Sequence, residues 1–419
     1  MPWHFLHAAD LHLDSPLRGL DRYAGAPVDV LRGATRRALE NLVQLALDER
    51  VALVLLAGDL YDGDWQDYNT GLFFTRQMSR LREAAIPVFI VAGNHDAMNR
   101  MTRALKMPDN VTVFGHSRPE TRAVDHLGVA IHGQSFGSVR VEEDLSASFP
   151  RPLPGLLNIG LLHTSAEGHE GHEPYAPCKV ETLWRHGFDY WALGHVHQRQ
   201  VLREQPWIVF SGNLQGRHVR ETGPKGATLV TVDGGRITAV EHRDLDVLRW
   251  GVCVVDAGGA ENGDEVLARV SAALTAENER ADGRPLALRV RVEGVAKAHG
   301  SLVADAERWL AEVRSAATDA SSGAIWVEKV EFRTRAQAVT GAEAEGGLAE
   351  LMRSLAETTP GNEEDETAMR AVLADLVRKL PAELRDGELN LTSREVLARL
   401  SGEARDLVVE RLNSQEGGR

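Results

Sequence analysis

Cysteine is scarce in this sequence, which has only Cys178 and Cys253 among 419 residues. Two cysteines so far apart along the chain exclude a thiolate zinc cluster and a disulfide framework. We therefore expect both thiols to be reduced and the protein to be cytoplasmic.

Long apolar runs are also missing. No stretch approaches the roughly 18 consecutive apolar residues that a membrane-spanning helix needs, so we expect no membrane association. The N-terminus, MPWHFLHAAD, lacks a basic segment followed by an apolar one and does not resemble a signal peptide. It predicts a strand instead.

Positive charge is in short supply, since 47 Lys and Arg against 61 Asp and Glu give a net charge of −14. This balance excludes a protein that coats nucleic acid through bulk charge, because such proteins neutralise many phosphates with Lys and Arg. A locally basic groove remains compatible with it. Acidic residues are plentiful in the last third, for example GNEEDE at 361–366.

The first 245 residues alternate apolar runs with amphipathic stretches, which is the pattern of an α/β domain. Helices are predicted at 31–50 and 70–84, where apolar residues recur at i, i+3, i+4 spacing. The clearest predicted strands lie in 3–9, 51–58, 86–93, 157–163 and 189–195, followed by 207–213 and a hairpin in 227–243.

The pattern restarts near residue 248 and predicts three regions. We assign 1–247 to the α/β domain and 248–335 to a small domain with the order strand, helix, strand, helix, strand. The remainder, 336–419, reads as an Ala/Glu/Gly-rich linker followed by amphipathic helices at 367–380 and 392–412.

Each strong apolar run of the first domain ends in side chains of the kind that bind metal ions. Ligands collect beyond the carboxyl ends of strands in α/β sheets, so we expect these residues to converge. Residues i and i+2 of a strand point the same way, so Asp10 and His12 can share a target, and so can His195 and His197. The candidate ligands are Asp10, His12, Asp59, Asn94, His163, His195 and His197.

This set offers oxygen and imidazole but no thiolate, which suits Mn²⁺, Fe²⁺ or Zn²⁺. Seven ligands exceed what one catalytic ion with open positions needs, and they suit two ions that share a carboxylate. Two ions about 3.5–4 Å apart can clamp a phosphate and lower the pKa of a water molecule between them. The set therefore predicts hydrolysis of a phosphoester with two divalent ions, for which Mn²⁺ is our first choice and Fe²⁺ or Zn²⁺ the alternatives.

The motifs DLH, GDLYD, GNHD, a single His and GHVH, in this order, resemble those of the calcineurin-like metallophosphoesterase superfamily. The likeness is greatest to SbcD-like DNA repair exonucleases and their YhaO-like bacterial relatives. The motifs span residues 10–197, and weaker likeness continues through GNLQGRHVRETGPKG at 212–226. The resemblance implies a metallophosphoesterase sandwich of α/β class, with a small α+β capping domain and C-terminal helices.

The resemblance also implies a role for each candidate residue. One ion would be held by Asp10, His12 and His197, and the other by Asn94, His163 and His195. Asp59 would bridge the two ions. His95 would face the scissile phosphate and stabilise the transition state or protonate the leaving oxygen, and we infer that Asp62 orients its imidazole.

A basic segment follows the predicted strand at 207–213. Its side chains Arg217, His218 and Arg220 are candidates for contact with substrate phosphate, with Lys225 close behind them. Surface arginines on an acidic protein are also ordinary solubilising residues, so this interpretation stays open.

The resemblance implies a two-metal-dependent DNA phosphodiesterase in DNA repair. We expect an exonuclease, with or without endonuclease activity on single strands or hairpins, that uses a metal-activated water molecule. Two alternatives stay open: a small-molecule phosphodiesterase of the same fold, and a non-catalytic scaffold for a partner.

The expected partners are DNA and, by resemblance, an SMC-type ATPase that docks on the C-terminal helices. Packing of these helices on the body of the protein explains their apolar stripes equally well. The helix at 70–84 offers a surface for a homodimer.

Overall fold

Two six-stranded sheets form the first part of the chain in the computed structural model. The model describes residues 2–15, 25–62, 68–97, 106–166, 176–336 and 363–379, and, near the C-terminus, 391, 393–397, 400–402 and 404. The first sheet contains β1 (Trp3–Ala8), β2 (Leu53–Ala57), β3 (Val88–Val91), β4 (Val111–Val113), β11 (Gly226–Asp233) and β12 (Arg236–Asp244). Its order is β12-β11-β1-β2-β3-β4, and the strands from β1 to β4 are parallel.

The second sheet has the order β5-β6-β7-β8-β10-β9. Its strands are β5 (Glu120–Val124), β6 (Val129–Gln134), β7 (Leu157–His163), β8 (Tyr190–Gly194), β9 (Gln200–Glu204) and β10 (Trp207–Phe210). The four central strands are parallel, and an antiparallel strand closes each edge. In both sheets the carboxyl ends of the central strands therefore lie along one edge.

The strands are apolar on both faces because both faces are covered. Phe5 and Leu55 pack in a core that also contains Ile131, Ile159 and Leu161 of the other sheet. Their chain neighbours, such as Leu6 and Leu56, point to the opposite face and pack in a different core with the helices. This alternation makes the two sheets a sandwich.

Helices cover the outer faces. α1 (Val28–Asp48) and α2 (Tyr68–Glu83) bury their apolar stripes in the outer core of the first sheet. α4 (Val180–Arg185), which follows the short α3 (Asn94–Ala97), contributes Leu183 to the outer core of the second sheet. In the residues described above, no helix is both long and apolar enough to cross a membrane.

A three-stranded sheet follows, with the order β13-β14-β15. Its strands are β13 (Arg249–Asp256), β14 (Leu286–Ala296) and β15 (Ile325–Ala336), and the helices between them are α5 (Gly263–Arg280), α6 (His299–Ala304) and α7 (Ala306–Ser321). By its internal contacts the chain divides into two units. One comprises Met1–Val252, Glu277–Arg289 and Ser321–Lys329, and the other comprises Cys253–Ala276, Val290–Ala320 and Val330–Arg419.

The α/β sandwich predicted from the sequence is confirmed, and so is a helix near the C-terminus, α8 (Glu363–Lys379). Of the predicted helix at 392–412, residues 394–397, 400–402 and 404 are helical. The rest of that helix and most of the predicted linker lie outside the described residues. The domain boundaries at 247 and 335 stay a prediction.

The core between the sheets should dominate the stability of the sandwich. Ile159 is fully buried there, so Ile159→Ala should lower the free energy of unfolding by about 2–5 kcal/mol. The matched control is Val201→Ala, because Val201 is 36% exposed on the edge strand β9 and should change stability little. Urea unfolding followed by circular dichroism measures both, and equal shifts for the two variants would contradict this assignment of the core.

Candidate active site

The candidate residues meet where the central strands of both sheets end. The loops after β1 and β2 run side by side, since the backbone N–H of Asp10 donates to the Gly58 carbonyl at 2.9 Å. The His12 N–H likewise donates to the Asp59 carbonyl at 3.0 Å. The His195 N–H, in the loop after β8, donates to the Asp10 carboxylate oxygens at 3.1 and 3.0 Å. Asp10 thus joins a loop of one sheet to a loop of the other.

Several of these residues have a strained backbone. Asp10, His12 and Asp59 adopt left-handed φ angles of 52°, 42° and 52°, and His195 has a φ of 105°. Such conformations cost non-glycine residues about 1–3 kcal/mol each and persist only where the surrounding structure enforces them. Strain concentrated in four candidate ligands is typical of a functional site.

Two glycines allow the loops to approach this closely. A Cβ atom on Gly58, which has a φ of 92°, would lie 2.6 Å from Nδ1 of His163. A Cβ on Gly194 would collide with the carbonyl oxygen of Ala57. Each glycine therefore lets a loop of one sheet contact the other sheet.

One group of candidate ligands consists of Asp10, His12 and His197. Their ligand atoms all lie within 4.8 Å of one another. Nε2 of His12 is 3.2 Å from Nε2 of His197, and the side chains of Asp10 and His12 are almost completely buried. These three residues could bind one ion.

A second group forms around His163. Its Nε2 lies 3.0 Å from Oδ1 of Asn94 and 3.5 Å from Oδ2 of Asp59. The same Asp59 oxygen is 3.8 Å from Nε2 of His12 in the first group. Asp59 therefore lies between the two groups, as a bridging carboxylate would.

The two histidines of GHVH contact different candidate ligands. The His195 ring packs against that of His163, with ring centroids 5.2 Å apart, whereas His197 contacts His12. The physical reason is that β8 ends at Gly194 and the φ of 105° at His195 turns the chain out of the strand. β1 likewise ends at Ala8, so the proximity of Asp10 and His12 comes from the loop and not from a strand.

Hydrogen bonds on the far side of two rings leave Nε2 available for a cation. Nδ1 of His163 donates to the Ala57 carbonyl at 2.9 Å, and Nδ1 of His197 lies 2.7 Å from Oε1 of Glu221. A neutral imidazole that carries its proton on Nδ1 has a lone pair on Nε2. That lone pair of His163 faces an oxygen of Asn94, a repulsive contact that a cation between them would relieve. The residues present therefore fit a bound metal ion.

The ionisation of the buried groups supports the same conclusion. Burial raises the pKa of Asp10 to about 7 and that of Asp59 to about 6. Burial also lowers the pKa of His163 to about 3 and that of His12 well below its usual range, so both imidazoles are neutral at pH 7. Neutral imidazoles cannot balance the negative charge of the buried carboxylates. Divalent ions would supply the positive charge that balances it.

His95 stands beside this group with Asp62 behind it. Its side chain is 36% exposed, and its Nδ1 lies 3.0 Å from Oδ1 of Asp62 in an ion pair. Contact with Asp62 raises the pKa of His95 despite partial burial. Burial opposes ionisation of Asp62, but its contacts with His95, Ser15 and Arg217 outweigh burial and lower its pKa to about 2. The pairing of His95 with Asp62 stays a prediction, which this 3.0 Å distance supports.

The three basic candidates differ in exposure. His218 and Arg220 are exposed near the site, whereas the Arg217 side chain is only 13% exposed and contacts Asp62 and Glu221. Lys225 is buried, and its Nζ donates to the His197 carbonyl at 3.0 Å, so this lysine supports the loop.

Two acidic residues outside the candidate set support the site, Glu221 and Asp96. Glu221 contacts His197 and lies in the basic segment after the strand at 207–213, where only the basic side chains were candidates. Asp96 belongs to GNHD and ties this loop to GDLYD by accepting the backbone N–H groups of Leu60, Tyr61 and Gly93. The signal for Asp96 was its place beside His95, and for Glu221 there was none.

Comparison with known proteins agrees with this geometry. Residues 4–199 match the model of the calcineurin-like phosphoesterase family, and residues 250–335 match that of the metallophosphoesterase YhaO middle domain. The fold and the site therefore define a calcineurin-like metallophosphoesterase.

Among curated relatives, the uncharacterized metallophosphoesterase YhaO of Bacillus subtilis is 36% identical over 296 residues, which are 70% of this chain and 72% of the relative. The DNA double-strand break repair protein Mre11 of Sulfurisphaera tokodaii is 26% identical over 261 residues, 58% of this chain and 62% of that protein. A solved dimetal phosphatase from Danio rerio aligns with 58% of this chain and 96% of its own, at 12% identity and a TM-score of 0.37. The chain belongs to the YhaO family of metallophosphoesterases, which confirms the resemblance found in the sequence.

Divalent ions should stabilise the folded protein, because a ligand that binds only the folded state raises its stability by about 2.7 kcal/mol at 100 times Kd. We expect Mn²⁺ to raise the Tm of metal-free protein and a chelator to reverse the rise, as measured by scanning fluorimetry. Asp59→Asn should lose most of the shift. Asp282→Asn, at a side chain that is 90% exposed, should keep it. A full shift in Asp59→Asn would count against the site.

Proposed function

We propose that this metallophosphoesterase hydrolyses phosphodiester bonds of DNA in DNA repair. The activity would be that of an exonuclease, with endonuclease activity on single strands or hairpins as a further capacity. The observation that carries the proposal is a pair of ligand groups that share Asp10, each with its ligand atoms within 4.8 Å of one another, beside the His95–Asp62 pair. The similarity to Mre11, named as a DNA double-strand break repair protein, supports DNA as the substrate.

Each candidate ligand has a role in this proposal. One divalent ion would be held by Asp10, His12 and His197, the other by Asn94, His163 and His195, and Asp59 would contribute to both. The chemistry that two bound ions supply at such a site is charge neutralisation of the phosphodiester and activation of the attacking water. Mn²⁺ is the ion we propose, since imidazole and oxygen ligands suit it.

His95 acts on the phosphate itself. Asp62 contacts Nδ1 of His95, so the imidazolium presents its Nε2–H to the substrate. In the transition state this group stabilises the developing negative charge and gives its proton to the leaving oxygen. Asp62 stays ionised and keeps the ring oriented, which is the task of a positioning carboxylate.

The surroundings of the site supply the remaining parts of the proposal. His218 and Arg220 contact the DNA backbone, and residues 248–335, the predicted capping domain, help to select the shape of the DNA. The helix α8 suits docking of an SMC-type ATPase coiled coil. One side of it carries the half-buried residues Met369, Leu373 and Val377, and its Val372 is 81% exposed. Exposed Tyr68 and Leu72 on α2 suit a homodimer. The two buried cysteines, which form no disulfide with each other, fit a cytoplasmic location.

The role of His95 predicts a large loss of activity on substitution. His95→Ala should lower the rate of Mn²⁺-dependent cleavage of end-labelled DNA about 10²–10⁴-fold, because a general acid is removed. Its Mn²⁺ content should stay normal, since His95 is not a ligand. The control is His126→Ala, at an exposed histidine in the short helix Asp125–Leu127. Full cleavage by folded His95→Ala would contradict the assigned role.

The proposed DNA contact of Arg220 predicts an effect on binding rather than on chemistry. Arg220→Ala should raise KM for DNA at unchanged kcat and flatten the salt dependence of binding by about one phosphate contact. Hydrolysis of a small aryl phosphodiester should be unaffected. The matched control is Arg236→Ala, because Arg236 is exposed on β12 at the opposite end of the sheet. If the protein cleaves the aryl ester but no DNA, the substrate is a small molecule.

A further inference from the structure

Several hydrogen-bond donors hold the buried carboxylate of Glu221 in place. It is 5% exposed, and its Oε1 lies 2.7 Å from Nδ1 of His197. Its Oε2 accepts the backbone N–H of Arg217 at 2.7 Å and the side-chain amide of Asn213 at 3.0 Å. A carboxylate fixed by this many donors cannot rotate, so it fixes the plane of the His197 ring as well.

Arg217 connects this carboxylate with a second one. Its Nη2 donates to Oε1 of Glu221 at 3.0 Å, and its Nη1 lies 3.4 Å from Oδ2 of Asp62. One guanidinium therefore bridges the carboxylate behind His197 and the carboxylate behind His95. A planar fork of donors suits this geometry, which a lysine ammonium could not reproduce.

We propose that Glu221 and Arg217 are positioning residues that orient His197 toward the metal site and hold Asp62 against His95. This inference rests on the proposed metal site, because His197 is one of its candidate ligands. Glu221 directs the His197 proton to Nδ1 and leaves the Nε2 lone pair facing His12. Arg217 sets the distance between this histidine and the Asp62–His95 pair.

The electrostatics of the cluster agree with this assignment. Burial opposes ionisation of Glu221, but the hydrogen bond with His197 and the charge of Arg217 outweigh it and hold its pKa well below the usual range. A charged acceptor on a ligand histidine makes the ring a stronger metal ligand, and loss of such a partner typically weakens metal affinity about 10–100-fold. Arg217 gives its charge to two carboxylates, so it contributes to the site from behind and does not act as an exposed phosphate clamp.

Two readouts test the role of Glu221. In metal-free protein, nitrogen NMR of the labelled histidine rings should show His197 protonated on Nδ1, and Glu221→Ala should convert this signal to a mixture of tautomers. Calorimetric titration with Mn²⁺ should show that Glu221→Ala binds one of two ions about 10–100-fold more weakly and the other normally. Glu221→Gln keeps a side-chain oxygen that can accept a hydrogen bond from Nδ1–H of His197. This variant should restore the Nδ1-protonated tautomer of His197 and part of the Mn²⁺ affinity.

The matched control is Glu181→Ala. Glu181 forms the same type of i,i+4 ion pair, with Arg185, but is 57% exposed on α4. It should leave both readouts unchanged. Wild-type tautomer and Mn²⁺ affinity in Glu221→Ala would overturn the proposal. If this variant does not fold, the same wild-type values in Glu221→Leu, which fills the space but offers no acceptor, would overturn it.

Arg217 is tested by the type of kinetic defect. Arg217→Lys should lower kcat at unchanged KM, because its charge remains but it cannot bridge both carboxylates. A raised KM at normal kcat would instead assign Arg217 to substrate binding and overturn its positioning role. The NMR measurement needs neither metal nor DNA. The positioning role of Glu221 can therefore be contradicted while the wild-type protein still cleaves DNA, and it can be supported even if the protein cleaves no DNA.

Discussion

The carboxylate of Asp10 is the contact on which the rest of the site depends. It accepts the backbone N–H of His195 from the other sheet, while its own N–H donates to Gly58. These bonds hold the loops after three strands in register and enforce the left-handed backbone at Asp10 and His195. The same carboxylate is buried beside other acids, a cost that the fold tolerates because the site is built to receive cations.

Around this contact the site is layered. The candidate ligands form the centre, and their far sides are occupied by groups that fix orientation: the Ala57 carbonyl behind His163, Glu221 behind His197 and Asp62 behind His95. Arg217 connects two of these supports. In a protein with a net charge of −14, Arg217 thus lies behind the candidate ligands, where its charge acts on two carboxylates at short range.

Much of the fold could be predicted because the central strands are buried on both faces and form clear apolar runs. The prediction omitted β6, whose VAIHGQ contains a histidine, a glycine and a glutamine in its second half. His132 in this strand is buried and hydrogen-bonded to Asn158, so tertiary contacts satisfy a polar residue that breaks the apolar pattern. The edge strands β5 and β9 were also omitted, because they are half exposed and their apolar pattern is weak.

For the site, the motifs at strand ends identified which residues converge, since the carboxyl ends of parallel strands share one edge. They could not indicate which residues contact one another. The separation of His195 from His197 depends on a backbone turn after Gly194, and strand periodicity cannot predict it. Glu221 follows His197 by 24 residues, and only the folded chain brings the two together.

The most direct test of this account is a crystal structure with Mn²⁺, analysed for anomalous scattering. We expect two peaks, one within ligand distance of Asp10, His12 and His197 and one beside Asn94, His163 and His195, with Asp59 close to both. A single peak among His12, Asp62 and His95, whose ligand atoms also lie within 4.8 Å of one another, would contradict it. In that case His95 would be a ligand, and the proposed division between metal binding and acid catalysis would be wrong.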